Sequence, residues 1–237
     1  MRKLLLFVCL IPLLSCAQPN KKTEMTYKNA NGKSISYDEM SYLLLTGDYK
    51  MQQLKNAEGD YNEIRLLKTT PSEKETALFA LATPNLFFEK GKEVPNEEFT
   101  TLDGKTLRFE QLKGKVVVVN FWFTTCAPCL KEIPELNELV EKYKANDQVV
   151  FLAFSTDKKD VLERFLNTKK FNYQQIPDVG KMLDNYEISY FPSNLIITSE
   201  GKSYFFTSGY IPTIKSILDY MIETNLKSSV GKPQSIH

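Results

Sequence analysis

The stretch Val116-Val117-Val118-Val119-Asn120-Phe121 decides the fold of this chain, and Cys126-Ala127-Pro128-Cys129 follows it closely. The first stretch is an uncharged run of β-branched and aromatic residues, which is typical of a strand buried on both faces of a sheet. Pro128 occupies a position suited to the first turn of a helix. A helical stripe follows, formed by Leu130, Ile133, Leu136, Val140 and Tyr143. The two cysteines are therefore predicted to lie between a buried strand and a helix start.

The flanking sequence extends this pattern in both directions. Asp103-Gly104 is a turn signal and predicts a hairpin of strands over residues 99–102 and 106–109. Downstream, the pattern predicts strands over 149–154, 195–198 and 203–206, helices over 158–169 and 179–186, and an amphipathic helix after Pro212. Strands that alternate with helices predict an α/β domain over residues 84–226, with a central mixed sheet flanked by helices and an N-terminal β-hairpin extension.

The regions before and after this domain are less regular. Residues 25–83 are predicted to form a small accessory region, with a turn at Asn31-Gly32, a helix from an Asp38 cap through Leu45, and a weak helix over residues 72–81. Residues 227–237 are polar and are predicted to be a flexible tail.

The N-terminus indicates export. Arg2 and Lys3 precede an apolar run that ends in Leu13-Leu14-Ser15-Cys16. The run is shorter than the roughly 20 residues that a membrane-spanning helix needs. Leu-Leu-Ser-Cys resembles the bacterial lipobox, which implies a lipoprotein signal peptide over residues 1–15, lipidation of Cys16, and a tether over residues 16–24. The alternative is an ordinary secretory signal cut after Ala17.

The chain has 4 cysteines, and their predicted fates differ. Cys9 would leave with the signal and Cys16 would carry lipid, so only Cys126 and Cys129 would remain. A single close pair in an oxidising compartment indicates a bond that is made and broken. Half of a zinc site is the alternative, but such a site needs four ligands and the only histidine is His237. We therefore expect no metal.

The position of the pair predicts its chemistry. Unsatisfied amides and the dipole at a helix start favour a thiolate on Cys126, with a pKa in the range of about 3.5 to 7.5 seen for activated cysteines. Cys126 is therefore the predicted nucleophile. Cys129 is the predicted resolving thiol, which attacks the mixed disulfide and closes the Cys126–Cys129 bond.

Several segments together resemble the TlpA/ResA type of membrane-associated thioredoxin-like reductase. They are Gly114 to Trp122, Cys-Ala-Pro-Cys, and Glu132-Ile133-Pro134, and the resemblance extends over about residues 91–226. It implies a thioredoxin-like fold and an enzyme, a thiol-disulfide oxidoreductase, without a cofactor of its own. The family has tryptophan immediately before the first cysteine, whereas this chain has Thr125, which leaves the substrate preference open.

The resemblance also implies roles for individual residues. Pro192 matches the family's cis-proline, and Phe191 would then offer backbone hydrogen bonds and part of the substrate surface. Glu132 matches an active-site carboxylate that exchanges a proton with Cys129, the alternative being a solvated helix charge. Trp122 is a candidate substrate contact or a core residue. Pro128 would tune the redox balance towards reduction, because oxidising relatives carry histidine at this position.

The preferred function is reduction of disulfides in exported proteins, with the haem-binding cysteines of apocytochromes c as one candidate substrate and a membrane thiol relay as electron donor. The balance of 30 basic and 29 acidic residues gives a net charge of +1 without a basic block, which argues against a nucleic-acid partner. A thiol peroxidase would need Pro-x-x-x-Thr-x-x-Cys, but Val119 and Phe123 occupy the proline and threonine positions. A non-catalytic, lipid-anchored binding module is the third alternative.

Overall fold

The computed structural model describes residues 24–230. Its strands are β1 (Thr26–Lys28), β2 (Tyr49–Lys55), β3 (Tyr61–Lys68), β4 (Glu98–Thr100), β5 (Thr106–Arg108), β6 (Val116–Trp122), β7 (Val149–Ser155), β8 (Gln174–Ile176), β9 (Ser193–Ile197) and β10 (Ser203–Ser208). Its α-helices are α1 (Tyr37–Leu45), α2 (Pro71–Phe79), α3 (Ala127–Tyr143), α4 (Lys159–Leu166), α5 (Gly180–Asn185) and α6 (Ile214–Val230).

A five-stranded mixed sheet forms the centre, in the order β10-β9-β6-β7-β8. β6 pairs in parallel with β7 and antiparallel with β9. Every residue of β6 is buried, as its uncharged sequence predicts. The central position of β6 brings the residues that follow it, including the cysteine pair, to the middle of one edge of the sheet.

Both faces of the sheet carry a core, because successive side chains of a strand point to opposite faces. Val118 and Trp122 lie in the cluster that also contains buried residues of α3 and α6. Val119 and Phe121 lie in the opposite cluster, with residues of the β4–β5 hairpin and of α5. The predicted α/β architecture with helices flanking a mixed sheet is confirmed.

The β4–β5 hairpin has the turn expected from Asp103-Gly104. Glu98 pairs with Arg108 and Thr100 with Thr106. Gly104 has φ +88°, a left-handed conformation that favours glycine. The Thr101 hydroxyl donates to the Asp103 carboxylate, which fixes the turn.

The accessory region is a three-stranded sheet, ordered β1-β3-β2, with α1 and α2. It contacts the central sheet through β10: the Thr83 amide donates to the Phe206 carbonyl at 2.8 Å, and the Thr207 hydroxyl donates to the Leu81 carbonyl at 2.8 Å. Leu78 of α2 is fully buried in the same cluster as α3 and α6. This region therefore shares a core with the main domain.

Several sequence expectations need correction. Ser36, and not Asp38, caps α1, because its hydroxyl accepts from the Glu39 amide at 3.0 Å while Asp38 lies inside the first turn. α6 continues to Val230, so the predicted tail is wrong for residues 227–230. Strands β2, β3 and β8 were not predicted.

In the part of the chain from 24 to 230, no helix is long and apolar enough to cross a bilayer. The predicted signal peptide, the lipidation site Cys16, most of the tether and residues 231–237 lie outside the described residues.

Candidate active site

The two predicted cysteines form a disulfide at the start of α3. Cys126 is the N-cap residue, with a Cα–Cα distance of 5.2 Å to Cys129. The Cys126 sulfur accepts from the Cys129 amide at 3.2 Å, and the Cys126 carbonyl accepts from the Leu130 amide at 3.0 Å. The positive end of the helix dipole and the Cys129 amide thus both lie at the Cys126 sulfur, where they favour a negative charge.

The pair lies just below an exposed turn. Thr125 and Ala127 are exposed and Pro128 is half-buried. Cys126 is 4% exposed and Cys129 2%, so Cys126 is the slightly more accessible of the two. A partner disulfide would reach the sulfurs across this turn.

Phe191 and Pro192 have the predicted backbone geometry, since the peptide bond between them is cis. Pro192 is buried, and its carbonyl accepts from the Gly209 amide at 2.7 Å. The half-buried Phe191 ring meets Phe123 edge to face, with ring centroids 5.3 Å apart. Both rings pack against the core cluster that contains the two cysteines.

Asp157 anchors the turn that precedes Cys126. Its carboxylate accepts from the Thr124 amide at 2.6 Å and from the Ser155 hydroxyl at 3.4 Å. This contact was not predicted, although a signal was available: β6 and β7 are parallel, so polar residues after β7 lie beside the residues that follow β6.

Glu132 is 1% exposed, so it is not a solvated helix charge. Burial raises its pKa from 4.5 to about 8, and a hydrogen bond from Asn194 opposes part of that rise. Glu132 follows Cys129 by one helical turn, where side chains are neighbours on the helix surface. It can therefore hold a proton near Cys129 at neutral pH.

Two buried asparagines complete the surroundings of Glu132. Asn120 Nδ2 donates to Asn194 Oδ1 at 3.0 Å, and Asn194 Nδ2 donates to Glu132 Oε2 at 3.3 Å. Asn120 and Asn194 are direct partners across β6 and β9. Sequence reasoning missed Asn194, because that register is set only when the strands pair.

Trp122 does not line the surface. It is fully buried, and its ring contacts Phe165 and Phe171 edge to face, each with centroids 5.2 Å apart. Its predicted substrate contact is wrong, because β6 is covered by the core on the Trp122 face. Trp122 instead packs in the cluster behind the cysteines.

Comparison with known proteins agrees with this geometry. The sequence model of the AhpC/TSA family matches residues 90–203. The thiol-disulfide oxidoreductase ResA of Bacillus thuringiensis strain Al Hakam is 39% identical over 114 residues, which are 47% of this chain and 65% of that protein. ResA of Bacillus subtilis strain 168 is 30% identical over 133 residues, which are 56% of this chain and 74% of that protein. The chain belongs to the ResA family of thiol-disulfide oxidoreductases.

A solved structure has the same fold as this chain. The thioredoxin domain of a thiol-disulfide oxidoreductase from Bacteroides vulgatus superimposes with a TM-score of 0.50 at 24% identity, covering 58% of this chain and 98% of that domain. The fold is therefore thioredoxin-like, as the resemblance implied. Residues 25–83 precede the AhpC/TSA match, and this chain covers 65% of the first ResA relative's length.

Proposed function

We propose that the protein is an enzyme that reduces disulfides of exported proteins through Cys126 and Cys129. The observation that carries this proposal is the cysteine pair at the start of α3, bonded in this structure, with Cys126 at the helix N-cap. Membership of the ResA family supports the same chemistry. The two ResA relatives compared above carry the name thiol-disulfide oxidoreductase.

The proposed reaction starts from the reduced pair. The Cys126 thiolate attacks one sulfur of the substrate disulfide, which forms a mixed disulfide and releases the other substrate sulfur as a thiolate. Cys129 then gives up its proton and attacks the Cys126 sulfur, which closes the Cys126–Cys129 bond and frees the second substrate thiolate. Two electrons pass to the substrate, and an external dithiol must return them.

Glu132 is the proposed proton acceptor for Cys129. With a pKa of about 8, Glu132 is mostly protonated at neutral pH, and its ionised fraction, which accepts the proton, increases as the pH approaches 8. Its burial beside the helix start keeps that proton near the resolving thiol rather than in bulk water.

The proposed substrate surface surrounds the exposed turn and consists of Thr125, Pro128, Phe191 and Pro192. Within residues 24–230 the Phe191 amide and carbonyl make no hydrogen bond, so both can pair with an extended substrate segment. The Phe123–Phe191 ring pair supplies apolar surface next to it. The small Thr125 leaves more room above the sulfurs than a tryptophan would.

Insulin reduction in the presence of dithiothreitol tests the activity. Wild-type protein should accelerate precipitation of the insulin B chain, and Cys126→Ser should abolish the acceleration. The matched variant Cys129→Ser should retain attack but accumulate mixed disulfides with substrate proteins. Equal rates for wild type and Cys126→Ser would contradict the enzyme and favour a non-catalytic binding module.

The proposed location is extracytoplasmic, and lipid on Cys16 would anchor the protein to a membrane. In an organism with an outer membrane, the protein would face the periplasm. The Leu-Leu-Ser-Cys segment supports this proposal. A Cys16→Ala variant should lose incorporation of labelled fatty acid and move from the membrane to the soluble fraction. Retention of label in that variant would contradict the assignment.

The proposed partners are disulfide-containing exported proteins and a membrane thiol donor, with apocytochromes c as the first substrate to test. The Cys129→Ser variant expressed in intact cells should capture them as mixed disulfides that dithiothreitol releases. Apocytochrome c missing from the captured proteins would redirect the search to other exported proteins.

The match to the AhpC/TSA family raises peroxide reduction as a second candidate. The position that needs a threonine holds Phe123, whose ring is packed on Phe191 and offers no hydroxyl to a peroxide. We therefore expect peroxide consumption by wild type to be no faster than by Cys126→Ser. Faster consumption would favour the peroxidase.

A further inference from the structure

Two hydrogen bonds run from Asn120 through Asn194 to Glu132, and in each of them the asparagine amide nitrogen donates to the next residue. Asn120 and Asn194 are 2% and 0% exposed, so their amides bond to protein groups rather than to bulk water. Asn120 Nδ2 donates to Asn194 Oδ1, which fixes the orientation of the Asn194 amide. Asn194 can then offer only its Nδ2 donor to Glu132.

The two oxygens of Glu132 therefore differ. Oε2 accepts from Asn194 at 3.3 Å, whereas Oε1 is buried and has no hydrogen-bond partner among residues 24–230. A donor on Oε2 stabilises the carboxylate, which opposes the effect of burial. Oε1 is left as the oxygen that can take or release a proton.

Other groups also face Glu132 and act on its charge. The Ile211 backbone amide, just before α6, lowers the pKa of Glu132, although by less than Asn194 does. Glu135 on the same helix raises it, because a second negative charge disfavours ionisation. The Tyr173 hydroxyl, just before β8, is buried and has no hydrogen-bond partner in the part of the chain that the structure describes. Burial and the charge of Glu132 raise the pKa of Tyr173. Lys215 of α6 opposes the rise that burial causes in the pKa of the neighbouring Glu135.

We propose that Asn194, oriented by Asn120, is a positioning residue that holds Glu132 Oε2 and directs Oε1 to the proton of Cys129. The inference rests on the proposed function. During resolution the Cys129 thiol passes its proton to Oε1, the resulting thiolate attacks the Cys126 sulfur, and the substrate sulfur leaves as a thiolate. Glu132 later returns the proton to solvent.

The direction of these two hydrogen bonds makes Asn120→Leu an informative variant. Leucine has a similar volume but no donor, so nothing holds Asn194 Oδ1 and the Asn194 amide can turn over. Asn194 Oδ1 would then accept from protonated Glu132, which stabilises the protonated carboxyl. The ionised fraction of Glu132, which accepts the proton of Cys129, would fall.

Reaction of the reduced protein with Ellman's reagent separates the two steps. The first thionitrobenzoate released reports attack by Cys126, and the second reports resolution by Cys129. We expect Asn120→Leu to slow the second phase about tenfold or more and to move its pH midpoint upward by about one unit. The first phase should be unchanged.

Asn194→Ser is the second variant, for use if Asn120→Leu does not fold. A serine hydroxyl is too short to reach Glu132, so this variant should slow the same phase. Glu132→Gln provides the matched background, in which neither asparagine substitution should slow the second phase further. Equal slowing in the presence and absence of Glu132, or slowing of both phases, would overturn the proposal. A wild-type protein that releases no second thionitrobenzoate would instead contradict the proposed function itself.

Discussion

Glu132 couples the stability of the molecule to pH. Its pKa is about 8 in the fold and 4.5 for an exposed carboxyl. Between these values the folded protein keeps a proton that the unfolded chain releases, so the free energy of unfolding decreases as the pH rises through this window. Below 4.5 and above about 8, Glu132 adds no further pH dependence.

Glu132→Gln should remove this slope, because glutamine cannot ionise. From pH 4.5 to about 8 the variant should gain stability over wild type by up to about 1.4 kcal/mol per pH unit. Urea unfolding at several pH values measures the effect. Glu141→Gln, which changes an exposed carboxyl of the same helix, is the control and should keep the wild-type slope. Parallel wild-type and Glu132→Gln curves would contradict the raised pKa.

Asp157 should matter for the shape of the active-site turn. Asp157→Ala removes the acceptor of the Thr124 amide, so we expect a loss of about 1 kcal/mol in the free energy of unfolding and a changed alkylation rate of reduced Cys126. Asp160→Ala is the matched control, since its carboxylate pairs with Arg164 on the exposed surface of α4. Identical alkylation rates in the two variants would show that the contact does not position the cysteine.

At the scale of the elements, α2 has a complete capping box at its N-terminus. The Thr70 hydroxyl accepts from the Glu73 amide, and the Glu73 carboxylate accepts from the Thr70 amide at 2.8 Å. Thr70→Ala should therefore lower the free energy of unfolding by about 1 kcal/mol, as measured by urea unfolding. Insulin reduction should be unaffected.

Thr76→Ala is the control within the same helix. The Thr76 hydroxyl donates to the Ser72 carbonyl inside the helix, and alanine has the higher helix propensity. This variant should be as stable as wild type or slightly more so. Equal losses in the two variants would mean that the cap contributes nothing specific.

The sequence could predict the elements that are buried and therefore consist mostly of apolar residues or carry an apolar stripe. β6 is an uncharged run in which only Asn120 is polar, and α3 has a helical stripe of apolar residues. The prediction of these two elements placed both cysteines correctly at the junction between them. β8 could not be found in the same way, because Gln174 and Gln175 give it no apolar pattern and its pairing with β7 forms only in the fold.

The same limit applies to the accessory region and to the site. β2 is mostly exposed and polar, so no apolar alternation marks it. Ser36 and Glu39 have the spacing of a capping box, and this local pattern predicts Ser36, rather than Asp38, as the N-cap of α1. Asn194 contacts Glu132 only through strand register, which no local pattern reveals.

At the scale of the whole molecule, the accessory region and the main domain are joined by a common core. Leu78 of α2 is fully buried in one cluster with Val118 of β6, Leu136 of α3 and Phe205 of β10. The Thr213 hydroxyl near α6 also donates to the Leu45 carbonyl at 3.1 Å. These contacts predict that residues 25–83 and the thioredoxin-like domain unfold together.

Leu78→Ala tests this coupling, because it opens a cavity where the two regions meet. We expect a loss of about 2–5 kcal/mol in the free energy of unfolding. The only tryptophan, Trp122, is buried in the thioredoxin-like domain, so its fluorescence reports that domain alone. Fluorescence and circular dichroism should move together to a lower urea midpoint. Leu86→Ala, at a site that is 69% exposed, should change stability by less than about 0.5 kcal/mol. An unchanged fluorescence midpoint with a separate early transition by circular dichroism would show instead that residues 25–83 fold as an independent unit.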